Sequence, residues 1–251
     1  MAARTSSPPY AKLVDDLSGV LSTLQAQPAL GRALIDPSFP VSGKLSLLSE
    51  VFPDLDPAAI ALLQPGLEQG WGRAKAMLGW LEDTQVTTAW QWAEETGVLD
   101  RAIDEVFAFG RLVAEDVAIR AALTDRKVPT SSRQDLAAKM LEETMTPAAV
   151  QIARAIVASR RGTIDAMVRA FIELGVKQAD AQLAVATVAK PLTGAQKKQL
   201  ANGLEARLGA KIVVQEIVDP AVLGGVRVEC GAEVIDSTMA MRLESVRREF
   251  A

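Results

Sequence analysis

The chain has 251 residues, 49% of them hydrophobic, enough for one large or two modest domains with proper cores. A net charge of −4 and a pI near 5.1 exclude the basic footprint of a general nucleic-acid binder. The absence of His and the single Cys exclude His-based metal sites, Ser-His and Cys-His nucleophile pairs and an internal disulfide framework.

No apolar run reaches the roughly 18–20 residues that a membrane span needs. The opening MAARTSSPPY is short and polar, with no apolar core of a secretory signal. The expectation is a chain that meets a membrane only through partners. Charge is unevenly spread: residues 1–100 hold 6 Lys/Arg against 12 Asp/Glu, whereas residues 120–170 hold 9 against 5. Solvated helix faces account for this, as does a pair of surfaces facing different partners.

From Tyr10 to about Gln178 the pattern is helical. Leu99, Ile103, Val106, Gly110 and Val113 recur at spacings of four and three and so share one helix face, with Asp100, Asp104, Arg111 and Glu115 on the other side. Thr146-Pro147 reads as an N-cap followed by Pro at the first helical position. The helix after it buries Val150, Ile152, Ile156 and Val157. Arg160-Arg161-Gly162 then supplies cations for its C-terminal end and a residue that tolerates positive φ.

This region matches itself at an offset of 89 to 90. ALGRALIDPSFPVSGKLSLL (29–48) falls on AIRAALTDRKVPTSSRQDLA (118–137), with Asp36 on Asp125, Pro40 on Pro129 and Ser42 on Ser131. After one inserted residue, Pro57-Ala58-Ala59 falls on Pro147-Ala148-Ala149, and Gly72 on Gly162. A duplicated helical unit of about 80 to 90 residues follows. The second copy has an extra leading helix over Thr88–Gly97. Trp71, Trp80, Trp90 and Trp92 cluster between the two cores, either as packing where the copies meet or as an aromatic-lined groove for a partner helix.

Beyond Ala179 the pattern alternates. Leu183, Val185 and Val188 lie in a strand ended by Lys190-Pro191, and Thr193-Gly194-Ala195-Gln196 is a capping box. Leu200, Leu204 and Leu208 line a helix that stops at Gly209. Lys211–Val218 is a second strand. Asp219-Pro220 and Leu223-Gly224-Gly225 turn the chain into a third, in which Val226, Val228 and Cys230 alternate with Arg227 and Glu229. Cys230 reads as a small buried hydrophobe. Asp236 or Ser237 caps a last amphipathic helix using Met239, Leu243 and Val246. Gly224-Gly225 lacks the further glycines, the Lys-Ser/Thr pair and the following helix of a phosphate loop, so it reads as a turn. The adjacent carboxylates Asp15-Asp16, Glu94-Glu95 and Glu142-Glu143 read as solvated surface. The fold expected is mainly α, a duplicated helical bundle followed by a small mixed α/β module. The first copy takes residues 1–86, the second 87–178 and the module 179–251.

The ordered set Ala189, Pro191, Leu192, Thr193, Gln196, Asp219, Leu223, Gly224, Gly225, Val226 and Asp236 resembles the delta subunit of the F-type ATP synthase, the oligomycin-sensitivity-conferring protein family. Ala93-Glu94-Glu95-Thr96-Gly97-Val98-Leu99 and Leu123-Thr124-Asp125 are similar to the family's N-terminal six-helix domain, and Arg133 stands where many members have Lys before the fourth helix. Residues 88–251 thus match a member of ordinary length, and the first copy resembles the N-terminal extension of long bacterial forms. The resemblance implies a non-catalytic peripheral-stalk subunit with no cofactor, on the cytoplasmic face of the bacterial plasma membrane. Its helical domain would hold alpha-subunit N-terminal segments and its C-terminal module the b subunits, resisting rotor torque during proton-driven ATP synthesis. Arg154, Arg160, Arg161, Trp90 and Trp92 are the candidate partner-binding residues. A helical-repeat adaptor for unrelated partners is the competing expectation.

Overall fold

A computed structural model describes residues 10–222, 224–230 and 233–236. Among them are eleven helices and four strands, in two compact units divided after Gly175.

The helical unit is built twice from the same five-helix series. The first series is α1 (Tyr10–Ala26), α2 (Pro28–Ile35), α3 (Val41–Val51), α4 (Pro57–Glu68) and α5 (Ala74–Glu95). The second is α6 (Leu99–Glu115), α7 (Val117–Thr124), α8 (Thr130–Leu141), α9 (Pro147–Ala158) and α10 (Ile164–Gln178). Helix starts are offset by 89 for the first three pairs and by 90 for the last two, as the sequence match requires.

The repeated letters also do the same physical work. The Asp36 carboxylate accepts from the Ser38 N–H at 2.8 Å and the Asp125 carboxylate from the Lys127 N–H at 2.9 Å, so both copies turn from the second to the third helix through the same aspartate turn. Pro40 and Pro129 then occupy the N-cap positions of α3 and α8. Three further correspondences join residues that are not identical. Lys12 pairs with Asp16 at 3.2 Å, and the Asp16 carboxylate accepts the Asp56 N–H at the start of α4. Arg101 pairs with Glu105 at 2.7 Å, and Glu105 accepts the Thr146 N–H at the start of α9. Each carboxylate thereby sits at a positive helix terminus. The Lys44 ammonium donates to the Leu67 carbonyl near the end of α4, while the Arg133 guanidinium, in the first turn of α8, donates to the Val157 carbonyl near the end of α9.

Thr146 departs from its expected role. It is the N-cap of α9, but its hydroxyl donates to Glu105 at 2.7 Å instead of accepting from its own helix, because the carboxylate is the stronger acceptor. The Thr88–Gly97 stretch is not a separate helix either. It is the second half of α5, a 22-residue rod about 33 Å long that runs through the 86/87 boundary. The rod survives its β-branched residues because both halves are packed: Met77 and Leu81 enter the first copy's core, and Val86, Ala89 and Trp90 are buried further along. Gly97, at φ +71°, ends it. The Gly97 N–H donates to Glu94 and the Val98 N–H to Ala93, the paired bonds of a left-handed C-terminal cap.

The second unit forms a four-stranded sheet of order β2-β1-β3-β4 from β1 (Ala181–Val188), β2 (Lys211–Val218), β3 (Val226–Cys230) and β4 (Glu233–Asp236), with α11 (Gly194–Leu208) connecting the parallel pair β1 and β2. β3 runs antiparallel to β1 and to β4. Register puts Ala184, Ala186, Val214, Val228 and Cys230 in one core with Leu204 of α11, and Arg227 and Glu229 on the wet face. The last predicted helix, from Ser237 onward, lies outside the described residues, as does Leu223. The capping box is complete: Thr193 accepts from the Gln196 N–H and the Gln196 side chain accepts from the Thr193 N–H. Replacing Thr193 with Ala should cost about 1 kcal/mol locally. Hydrogen exchange of the α11 amides should rise about fivefold with other strands unchanged.

Candidate partner-binding surfaces

The family-motif residues form turns and caps. The Asp219 carboxylate accepts from the Ala221 N–H at 2.9 Å and the Asp219 N–H donates to the Val188 carbonyl, which fastens the end of β2 to that of β1. Gly224 at φ +70° and Gly225 at +82° occupy the left-handed region that side chains avoid, and β3 follows at once. The Leu192 N–H donates to the Glu216 carboxylate at 3.0 Å. Ala189 and Pro191 lie in the connection out of β1, and Val226 and Asp236 lie at the beginning of β3 and the end of β4.

The five candidate partner-binding residues do not form one surface. Trp90 is fully enclosed, and its indole N–H donates to the Phe171 carbonyl at 2.8 Å. Its ring lies so close to Gly175 that an added Cβ there would approach it to 2.6 Å. Trp90 therefore lines no groove. It is a core residue, while Trp92 is half-buried further along α5. Nor do the four tryptophans cluster: Trp71 and Trp80 pack on the first copy's core, with ring centroids 6.0 Å apart.

Arg161 is committed internally. Its guanidinium pairs with Glu82 at 2.8 Å and with Asp83, and lies 5.5 Å from the Phe171 ring centroid. The Ser159 hydroxyl donates to Glu82 at 2.9 Å. Burial pushes the Glu82 carboxyl above its ordinary value, an effect that Ser159 and Arg161 only partly offset. Burial depresses the Arg161 guanidinium, but Asp83 and Glu82 outweigh it and leave the net shift upward. Arg161 thus ties the middle of α5 to the α9–α10 turn, and it does not serve the α9 carbonyls. Arg133 does that instead, and Gly162 has no positive φ. Arg154 faces Asp135 across 3.5 Å.

Arg160 is exposed and belongs to a feature that spacing alone does not reveal. A groove of about 990 Å³ runs between the ends of α6 to α10. It is lined by five cations, Arg120, Arg126, Lys127, Arg133 and Arg160, against one carboxylate, Asp165. Val113, Leu123, Val128 and Ile156 form part of its apolar wall. Its residues span five helices, so only the excess of basic residues over 120–170 announced it. Among the described residues, no group of His, Cys, Asp and Glu could hold a metal ion, and no helix is long and apolar enough to cross a membrane.

The chain thus combines a double helical scaffold, a basic groove and a small α/β module with a Gly-Gly turn. The family model described as ATP synthase delta (OSCP) subunit matches residues 87–250. Among similar proteins, the ATP synthase subunit delta of Streptomyces avermitilis is 32% identical over 96% of this chain and 89% of its own length. That of Kineococcus radiotolerans is 34% identical over 96% and 88%, and that of Cutibacterium acnes is 30% identical over 95% and 91%. In structure, the chain is similar to one in the mitochondrial ATP synthase hexamer of Toxoplasma gondii, with a TM-score of 0.41, 15% identity, and coverage of 68% of this chain and 97% of that one. The chain belongs to the ATP synthase delta (OSCP) subunit family. It is a structural subunit of the synthase's peripheral stalk. The family match begins at residue 87, so the first copy lies outside it, yet the bacterial relatives align across nearly the whole chain. The reading as an adaptor for unrelated partners finds no support among these relatives.

Proposed function

We propose that this chain ties the catalytic head of the synthase to its stator. The helical unit holds N-terminal segments of the alpha subunits, and the C-terminal module grips the ends of the b subunits. Together they stop the head from turning with the rotor, so that torque from proton flow drives ATP synthesis. The chain does this at the cytoplasmic face of the bacterial plasma membrane, attached through the complex.

The carrying observation is family membership over residues 87–250 together with the near full-length bacterial relatives. The fold supports a mechanical role. α5, the last helix of the first series, also packs against α9 of the second, so the copies are not beads on a linker. The Glu82–Arg161 pair braces its middle, and Gln151 of α9 donates to Asp15 of α1 at 3.1 Å. A tie of this kind works through extended contacts that dissociate slowly.

An affinity tag on the chain, followed by gentle solubilisation of membranes, should recover alpha and b subunits with it. Recovery of the tagged chain without synthase subunits would overturn the proposal.

A further inference from the structure

The duplication supplies an internal control for what the fold itself needs. Groups that hold the five-helix series together occur in both copies: the Lys12 and Arg101 pairs, the Asp16 and Glu105 helix contacts, and the Lys44 and Arg133 carbonyl contacts. The other four cations of the basic groove have no such counterpart. At the matching offsets, Arg120, Arg126, Lys127 and Arg160 fall on Gly31, Pro37, Ser38 and Gly70. Val128, on the groove's wall, falls on Phe39, a larger side chain that packs against Gly43. The first copy therefore reaches the same fold with none of these four charges.

What a ligand meets in the groove is polar. Val113, Leu123 and Ile156 are at most 2% exposed, so they back the groove without facing its contents, and of the apolar wall Val128 is exposed. Arg126, Lys127 and Arg160 are exposed around it, and among the described residues no ion pair or hydrogen bond engages their side chains. Arg120 donates to the Val113 and Ala114 carbonyls, and Arg133 to those of Leu123 and Val157. Arg133 nevertheless keeps a buried Nε with no hydrogen-bond partner. Helix α8 also begins on the groove, at Pro129 and Thr130, with no side-chain cap. The free N–H groups of its first turn add to the positive field.

We propose that this groove is a binding site for a small molecule that carries a chain of phosphates. Phosphate oxygens meet Arg126 and Lys127 from the α7–α8 turn and Arg160 from the α9–α10 turn. The planar guanidinium groups offer paired N–H donors that match phosphate geometry. The cations come from two separate turns around about 990 Å³, a spread that a phosphate chain bridges and a single phosphate does not. The chain's net charge of −4 repels a long polyanion, which keeps the ligand small. Nucleoside triphosphates and inorganic tripolyphosphate share this chemistry. The proposal does not rest on the stalk assignment, so its failure leaves that reading intact.

The test is isothermal titration calorimetry of the full chain with tripolyphosphate, ATP, AMP and inorganic phosphate at fixed ionic strength. Tripolyphosphate and ATP should bind saturably at one site per chain, with AMP and phosphate about tenfold weaker or more. Equal affinity for ATP and tripolyphosphate assigns recognition to the phosphates, and tighter binding of ATP adds a contact to the nucleoside. The triple variant Arg126→Gln, Lys127→Gln and Arg160→Gln should lose about tenfold or more in affinity with its melting temperature unchanged. Lys139→Gln, Arg169→Gln and Lys198→Gln together remove the same charge outside the groove and should leave the affinity as it was. Absence of saturable binding, unchanged affinity in the groove variant, an equal loss in the control, or inorganic phosphate binding as tightly as tripolyphosphate would each overturn the proposal.

Discussion

Replacing Trp90 with Ala should destabilise the helical unit by about 4 kcal/mol, in the range for removing a large aromatic from a closed core. Trp90 has no exposed surface, packs on Gly175 and donates its indole N–H to the Phe171 carbonyl. The truncation opens a cavity and leaves that carbonyl without its donor. Relaxation is restricted because Phe171 and Ile172 are themselves fully packed. Trp92 is half-buried two residues along the same helix, so its replacement by Ala should cost much less. Urea unfolding followed by far-UV circular dichroism separates the two. Similar midpoints would mean that Trp90 is not the anchor that its burial indicates.

Replacing Arg161 with Ala should cost about 1–3 kcal/mol near neutral pH, less than stranding one member of a fully buried ion pair, because Arg161 itself is exposed and water screens the pair. Glu82 is 3% exposed, and Arg161 is its cationic partner. The loss should depend on pH. The Glu82 carboxyl already titrates above its ordinary value of 4.5 in the folded chain, and loss of Arg161 raises it further. At low pH the carboxyl is protonated in folded and unfolded chains of both proteins, and the charge-dependent part of the loss vanishes. That part grows as pH rises past the folded-state value of the unaltered chain, where Glu82 must ionise without its partner. In the unaltered chain, Glu82 by itself removes stability as pH rises from 4.5 through its raised folded value, and Glu82→Gln should remove that decline. Adding Glu82→Gln to Arg161→Ala should restore part of the lost stability. A loss that stays constant with pH, or no recovery in the double variant, would show that the pair is not what braces α5. These expectations also bear on binding experiments: reversing Arg160 and Arg161 together damages the scaffold, so Arg160 must be changed without Arg161.

The duplication was legible because it is written in punctuation. Asp36 and Asp125 make the same turn, and Pro40 and Pro129 stand at the same N-cap. Thr193, Gln196, Gly209, Gly224 and Gly225 act through their nearest neighbours, so the C-terminal module was equally plain. What was hidden depends on residues far apart in the chain. Thr84, Val86, Thr87 and Thr88 weaken the local helix signal, and α5 is continuous only because burial on both sides holds it. The pairing of Arg161, expected as a helix-end and partner-binding cation, was hidden because Glu82 and Asp83 lie 79 and 78 residues earlier. The tryptophans are near one another in sequence, but they serve different cores. The basic groove was visible as a charge excess and nothing more, since five helix ends must converge to make it.

ATP synthesis in membrane vesicles from cells depleted of this chain tests the central claim most directly. The stalk role predicts that synthesis driven by an imposed proton gradient is lost, while catalytic heads released from the membrane still hydrolyse ATP, and that adding back the purified chain restores synthesis. Synthesis at the undepleted rate in vesicles lacking the chain would contradict it.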